Sequence, residues 1–149
     1  CEVRNPEILH EALAEERGVL LVSGHFGNWE IICPRLAEAG FPVSLYVGAQ
    51  TNPRSDDNQN TLRASFGVET IGRSRQAPLR ICRALEKNRV VTIIVDQNDN
   101  KSDLFVNFFG KAASMSKGLG SFHHLKQSPV LFTTCTYQGD CCLLEFQLL

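Results

Sequence analysis

Leu20-Leu21-Val22-Ser23-Gly24-His25-Phe26-Gly27-Asn28-Trp29-Glu30 decides how the rest of the chain is read. An apolar run without polar alternation ends in a turn that carries two glycines. Residues 29–39 then have helical character, and Gly40 stands where a helix usually stops. Strand, turn and helix form the unit from which α/β domains build sites, because ligands collect at the carboxyl ends of buried strands. The turn holds His25, and the carboxylate of Glu30 follows with four residues between them. A neutral imidazole is a good general base near neutral pH, and a carboxylate on its other ring nitrogen fixes the tautomer. On a regular helix positions five apart are separated by about 140°, so both residues cannot be helical and meet. They meet if His25 lies in the turn and only Glu30 is helical. Gly24 and Gly27 permit the backbone that this requires. Asn28 is a good helix N-cap and would place Glu30 in the first turn. The plainer alternative is a capped strand-to-helix turn whose histidine bonds the backbone.

Outward from that unit the chain alternates. Residues 6–16 are expected to form a helix, with Ile8, Leu9, Ala12 and Leu13 as its apolar stripe. Residues 18–23 read as a strand covered on both faces. Pro34 is an awkward interior residue of the next helix. Residues 42–47 are a second strand, residues 48–60 a polar loop that enters a helix ending near Phe66, and residues 68–71 a short strand. A helix follows over residues 78–87. Residues 90–95 are the strongest buried strand, rich in β-branched side chains, and Asp96 comes directly after it. Residues 105–109 are extended and apolar, residues 116–127 helical, and residues 129–137 and 142–148 form a hairpin. This pattern predicts an α/β fold with a mixed, largely parallel sheet flanked by helices.

Length and composition set the outer bounds. A chain of 149 residues fits one domain, residues 1–149, with 43% hydrophobic residues. A net charge of −1 argues against bulk nucleic-acid binding. The six cysteines form no C-x-x-C pair and have no ligand spacing with His123 and His124, so no metal is expected. They read as reduced residues of a cytosol-facing compartment. The start at Cys1 and the apolar end point to a piece of a longer protein.

Three further features bear on chemistry. Asp96 ends the most buried strand and could approach the His25 turn, or simply close a local turn of its own. Between Arg63 and Arg89 there are seven basic residues against two acids, either a solvated face or a patch for anionic groups. Arg63 is the best single candidate for bidentate contact with an anion. Phe105, Phe108 and Phe109 could line an apolar slot for an acyl chain or could be core. Another class of reading takes Gly24 to Asn28 as an anion- or nucleotide-binding turn, with Asp96 as a magnesium ligand. No P-loop lysine or G-x-G-x-x-G element accompanies it.

The turn Ser23-Gly24-His25-Phe26-Gly27-Asn28-Trp29-Glu30 resembles the H-x4-[D/E] signature of the lysophospholipid acyltransferase superfamily. More closely, it is similar to the H-F-G-N-W-E element of the bacterial lipid A biosynthesis lauroyl and myristoyl acyltransferases. Val95-Asp96-Gln97 resembles that family's D-Q element. Phe105-Val106-Asn107-Phe108-Phe109-Gly110-Lys111 resembles its F-V-P-F-F-G-[R/K] element, with Asn107 in place of proline. The stretches that begin at Ser116 and end at Val130 resemble the helix and strand that follow, although Leu131-Phe132 departs from the family's Val-Pro. Four ordered elements are far more specific than the first alone.

The resemblance implies a glycerolipid acyltransferase-like fold and acyl transfer from acyl carrier protein or acyl-CoA to a hydroxyl of a glycolipid. A lipid A precursor is the first acceptor implied, and a phosphatidylinositol mannoside the alternative. It implies no cofactor, work at a membrane surface on the cytoplasmic face of the inner membrane, and a membrane anchor and C-terminal portion outside this chain. His25 and Glu30 are the implied catalytic pair. Arg63, Asp96, Asn28, Gly27, Phe108 and Phe109 are the implied substrate-binding set, with Arg63 or backbone N–H groups meeting the oxyanion.

Overall fold

The computed structural model describes residues 2–100 and 102–149. Its main sheet has seven strands: β1 (Glu2–Arg4), β2 (Val19–Ser23), β3 (Val43–Val47), β4 (Glu69–Gly72), β5 (Val90–Ile94), β8 (Val130–Gln138) and β9 (Cys141–Leu148). Their order is β1-β9-β8-β2-β5-β3-β4. Every neighbouring pair is parallel except the β8–β9 hairpin. The helices are α1 (Pro6–Ala14), α2 (Ile32–Glu38), α3 (Pro53–Ser65), α4 (Ala77–Glu86) and α5 (Gly118–Lys126). This is the mixed, largely parallel α/β fold that the sequence pattern predicts.

The unbroken apolar run of β2 is explained by its place. It lies between β8 and β5, and its side chains feed two cores. Val19 and Leu21 join Leu9, Ile32, Leu36 and Val43 on one face. Leu20 joins Ile71, Ile81, Leu85 and Val91 on the other. Alternation is lost because neither face meets water. Cys33 belongs to the first core, and burial pushes its thiol up to about 12, so it acts as a small neutral residue. Cys1 lies outside the described residues.

Some boundaries differ from expectation for local reasons. Pro34 does not kink a long helix. A 3-10 turn over Trp29–Ile31 comes first, and α2 then starts at Ile32. Pro34 thus falls in the first turn of α2, where its missing N–H is not needed. More than half of the polar loop expected over residues 48–60 is helix. The Asn52 side chain accepts from the N–H groups of Arg54 and Ser55 at 3.0 and 3.5 Å, and Pro53 opens α3. Because α3 buries only Arg63, it has no apolar stripe to reveal it.

A separate hairpin, β6 (Phe105–Phe108) with β7 (Lys111–Ser114), stands beside the main sheet. Its two-residue loop has φ of 50° at Phe109 and 78° at Gly110. Both positive values suit a type I′ hairpin turn, and the bulky Phe109 is strained there. The Asn107 carboxamide steadies the loop by accepting from the Gly110 N–H at 2.8 Å.

Candidate active site

Register places the first pair. β2 and β5 are parallel neighbours in which Ser23 lies opposite Ile94. Two residues further on, the same spacing sets His25 beside Asp96. The contact is double. One Asp96 oxygen accepts from the His25 backbone N–H at 2.6 Å, and the other lies 2.6 Å from Nδ1. Gly24 leaves room for this approach, since a Cβ there would sit 2.9 Å from the Asp96 carboxylate and closer still to the Phe26 ring. Trp29 packs edge-on against the imidazole at 5.0 Å between centroids.

Glu30 does not reach His25 in the way the sequence spacing invites. It turns to Arg63, whose Nη2 donates to both carboxylate oxygens at 2.9 and 3.2 Å. Arg63 is only 6% exposed and also donates to Asn60 and Gln59. A buried cation needs such partners, because removing it from water without them is expensive. The anion expected for Arg63 is therefore first of all Glu30. Both of its Nη atoms donate to protein acceptors, while its Nε is buried with no hydrogen-bond partner among the described residues.

The far side of the turn is fixed by β8. The Asn28 N–H donates to the Cys135 carbonyl at 2.8 Å. Gly27 has φ of 61°, and a Cβ on it would come within 2.0 Å of that carbonyl oxygen. No larger residue fits without moving the turn. Asn28 does not cap the next helix with its side chain. Its Nδ2 donates instead to the Tyr137 hydroxyl at 2.9 Å. The anion-binding reading of the turn loses support here, because the N–H groups of His25 and Asn28 bond protein acceptors.

Two cavities flank the His25–Asp96 pair. One, of about 310 Å³, is polar and is lined by His25, Trp29, Arg63, Arg73 and Gln97. The other, of about 290 Å³, is largely apolar and is lined by Phe26, Asp96, Phe108, Met115 and Phe132. Phe108 thus borders the site. Phe109 does not line this cavity. It is 92% exposed, with its ring edge-on to Phe108 at 4.7 Å. Neither phenylalanine is core. The sequence reading left Trp29, Tyr137, Phe26, Phe132 and Met115 without roles. Phe26 and Trp29 carried a signal through the H-F-G-N-W-E element and Gln97 through the D-Q element, whereas Tyr137 and Met115 carried none. Among the described residues no group of three His, Cys, Asp or Glu side chains is placed to hold a metal ion.

Residues 1–149 match the bacterial lipid A biosynthesis acyltransferase family. The chain belongs to this family. It is also similar to two curated phosphatidylinositol mannoside acyltransferases. That of Mycobacterium tuberculosis (strain CDC 1551 / Oshkosh) is 27% identical over 142 residues, covering 88% of this chain and 42% of the relative. That of Mycolicibacterium smegmatis (strain ATCC 700084 / mc(2)155) is 27% identical over 137 residues, covering 89% of this chain and 44% of the relative. The chain spans less than half the length of these curated relatives.

Within this acyltransferase-family domain, electrostatics set the state of the central pair. The Asp96 carboxyl is held below its ordinary 3.8. Burial is the largest single influence and works the other way, but the bonds from the His25 ring and N–H, with the imidazole charge, outweigh it. An ionised Asp96 can only accept, so the neutral imidazole carries its proton on Nδ1. Nε2 is then left with a free lone pair, as a general base requires.

Proposed function

We propose that this chain is the catalytic part of an enzyme that moves a fatty acyl group from a thioester donor to a hydroxyl of a glycolipid. The observation that carries the reading is the His25–Asp96 pair at the meeting of a polar and an apolar cavity. The acyl chain occupies the apolar side against Phe26 and Phe108. The acceptor hydroxyl enters from the polar side, past Arg73 and Gln97. His25 Nε2 removes the hydroxyl proton as the oxygen attacks the thioester carbonyl. The carbon–sulfur bond then breaks, and the imidazolium returns the proton to the departing thiolate. Asp96 stabilises the imidazolium, while Glu30 and Arg63 brace the turn and the wall of the polar cavity.

Family membership makes a lipid A precursor the first acceptor to test. The names of the two relatives make a phosphatidylinositol mannoside the second. Acyl carrier protein and acyl-CoA are the two candidate donors, and the cytoplasmic face of the inner membrane is the proposed place of work. The test is acyl transfer by membranes holding the full-length parent protein, with both donors and both acceptors, beside His25→Ala. The expected result is transfer to one acceptor, reduced about 10²–10⁴-fold in the variant. Near-normal turnover by His25→Ala would sink the assignment.

A further inference from the structure

A second apolar cavity, of about 570 Å³, adjoins the first and shares two lining residues with it. Leu104 and Val106 of the hairpin segment wall one side of it, and Leu119 of α5 walls another. Val95 and Met115 line both cavities, so they form the partition between them. The two residues differ as gate material. Val95 is short and β-branched, stiff at its first side-chain torsion, and its N–H is tied to the Ser23 carbonyl at 3.0 Å. Met115 is half-buried and unbranched, and can swing. Its backbone is held independently, by donation to the Leu104 carbonyl at 2.9 Å. The chain beneath the side chain therefore stays fixed whatever the side chain does.

We propose that Met115 determines which acyl-chain lengths this site accepts. The carbonyl end of a linear hydrocarbon lies in the near cavity beside Asp96 and His25. A short chain ends there. A longer one passes Met115 into the far cavity, where Leu104, Val106 and Leu119 bury its distal methylenes. Polar groups such as Lys117 and His124 also border the far cavity, so its apolar part has a finite length. Each methylene moved from water into such a chamber strengthens binding about fourfold. A partition that blocks even two methylenes therefore shifts preference by roughly tenfold or more.

This inference rests on the acyl-transfer reading, and its test separates the two. The full-length parent protein, unaltered and as Met115→Ala, Met115→Trp and Leu119→Trp, is given donors from octanoyl to stearoyl. In parallel, unlabelled fatty acids of the same lengths displace a fluorescent fatty acid from each protein, which needs no turnover. Thermal melts confirm that each variant is folded.

Met115→Trp is expected to lower the ratio of long-chain to short-chain transfer at least tenfold. Met115→Ala should raise that ratio. Leu119→Trp, which narrows the far cavity alone, should lower it for the longest donors. The displacement series should shift in the same directions. If both Met115 variants fold and leave the length series of binding and of transfer unchanged, the gate is overturned and acyl transfer stands. If the binding series shifts while no donor is ever transferred, the gate stands and the acyl-transfer reading falls. If no fatty acid of any length binds, the gate is overturned.

Discussion

Glu30 and Asp96 are two carboxylates beside one turn, and they have opposite histories. Glu30 follows His25 with four residues between them, yet it bonds Arg63 from α3. Asp96 is 71 positions away from His25, yet it grips both the backbone and the ring of that histidine. The near residue lies within a 3-10 turn that points its side chain at Arg63. The distant residue is brought in by the register of two parallel strands. Closeness in sequence was thus a poor guide to which acid holds the imidazole. Strand adjacency decided it.

The largest effect that could break this comparison is on turnover. Asp96→Asn is expected to lower acyl transfer about 10²–10⁴-fold, because Nδ1 no longer faces an obligate acceptor and the tautomer is lost. Glu30→Gln should stay within about tenfold of the unaltered enzyme, since its partner is Arg63. Steady-state rates for the two variants, measured side by side, check this. The reverse order would return Glu30 to the imidazole.

Stability should show the opposite ranking. Arg63→Ala removes a buried cation and strands Glu30, and should cost about 2–4 kcal/mol, moderated because Glu30 remains partly in water. Urea unfolding of the folded parent measures it, and a loss too small to detect would mean that the pair contributes little. Gly27→Ala comes next. The positive φ and the Cys135 carbonyl behind it predict a loss of about 1–3 kcal/mol, with turnover falling as the turn moves. An alanine variant with unchanged melting and rate would show that the turn is less constrained than its contacts indicate.

The smallest effect is on acid sensitivity. The folded Asp96 carboxyl lies below 3.8, so it binds a proton less readily than in the unfolded chain. Its contribution is therefore complete above that value and is lost as pH falls through the lower, folded value. Denaturation midpoints followed from neutrality into the acid range should show this loss, and Asp96→Asn should lack it. An identical acid profile in the two proteins would remove Asp96 from the stability of the turn.

Much of the fold was legible because its signals are local. Val19 to Val22 and Val90 to Ile94 read as doubly covered strands because their side chains alternate between two dry cores. The elements that escaped notice are those whose stability is not written in a pattern. β1 is three residues long and exists through its pairing with β9. The start of α3 rests on one asparagine cap, and its only buried residue is a charged one.

The site divides in the same way. His25, Gly27 and Asn28 could be singled out from the strand–turn–helix unit and its glycines. Arg63 was legible as a cation, but its commitment to Glu30 was not. Phe108 and Phe109 looked alike in sequence. Yet only Phe108 borders the cavity, while Phe109, in the hairpin turn and edge-on to Phe108, stands in solvent.

By itself the sequence determined the α/β class, the position of the histidine-bearing turn and the order of four motif elements that match one family. Those follow from short-range chemistry, namely burial on both faces of a strand, glycine at a turn and residue types at fixed spacing. Only the tertiary structure decided which carboxylate holds the imidazole, where the arginine spends its charge and which aromatic rings enclose an apolar cavity. Each of those depends on which strands lie side by side and in what register. Contacts between distant segments settle that jointly, and no single stretch of sequence contains it.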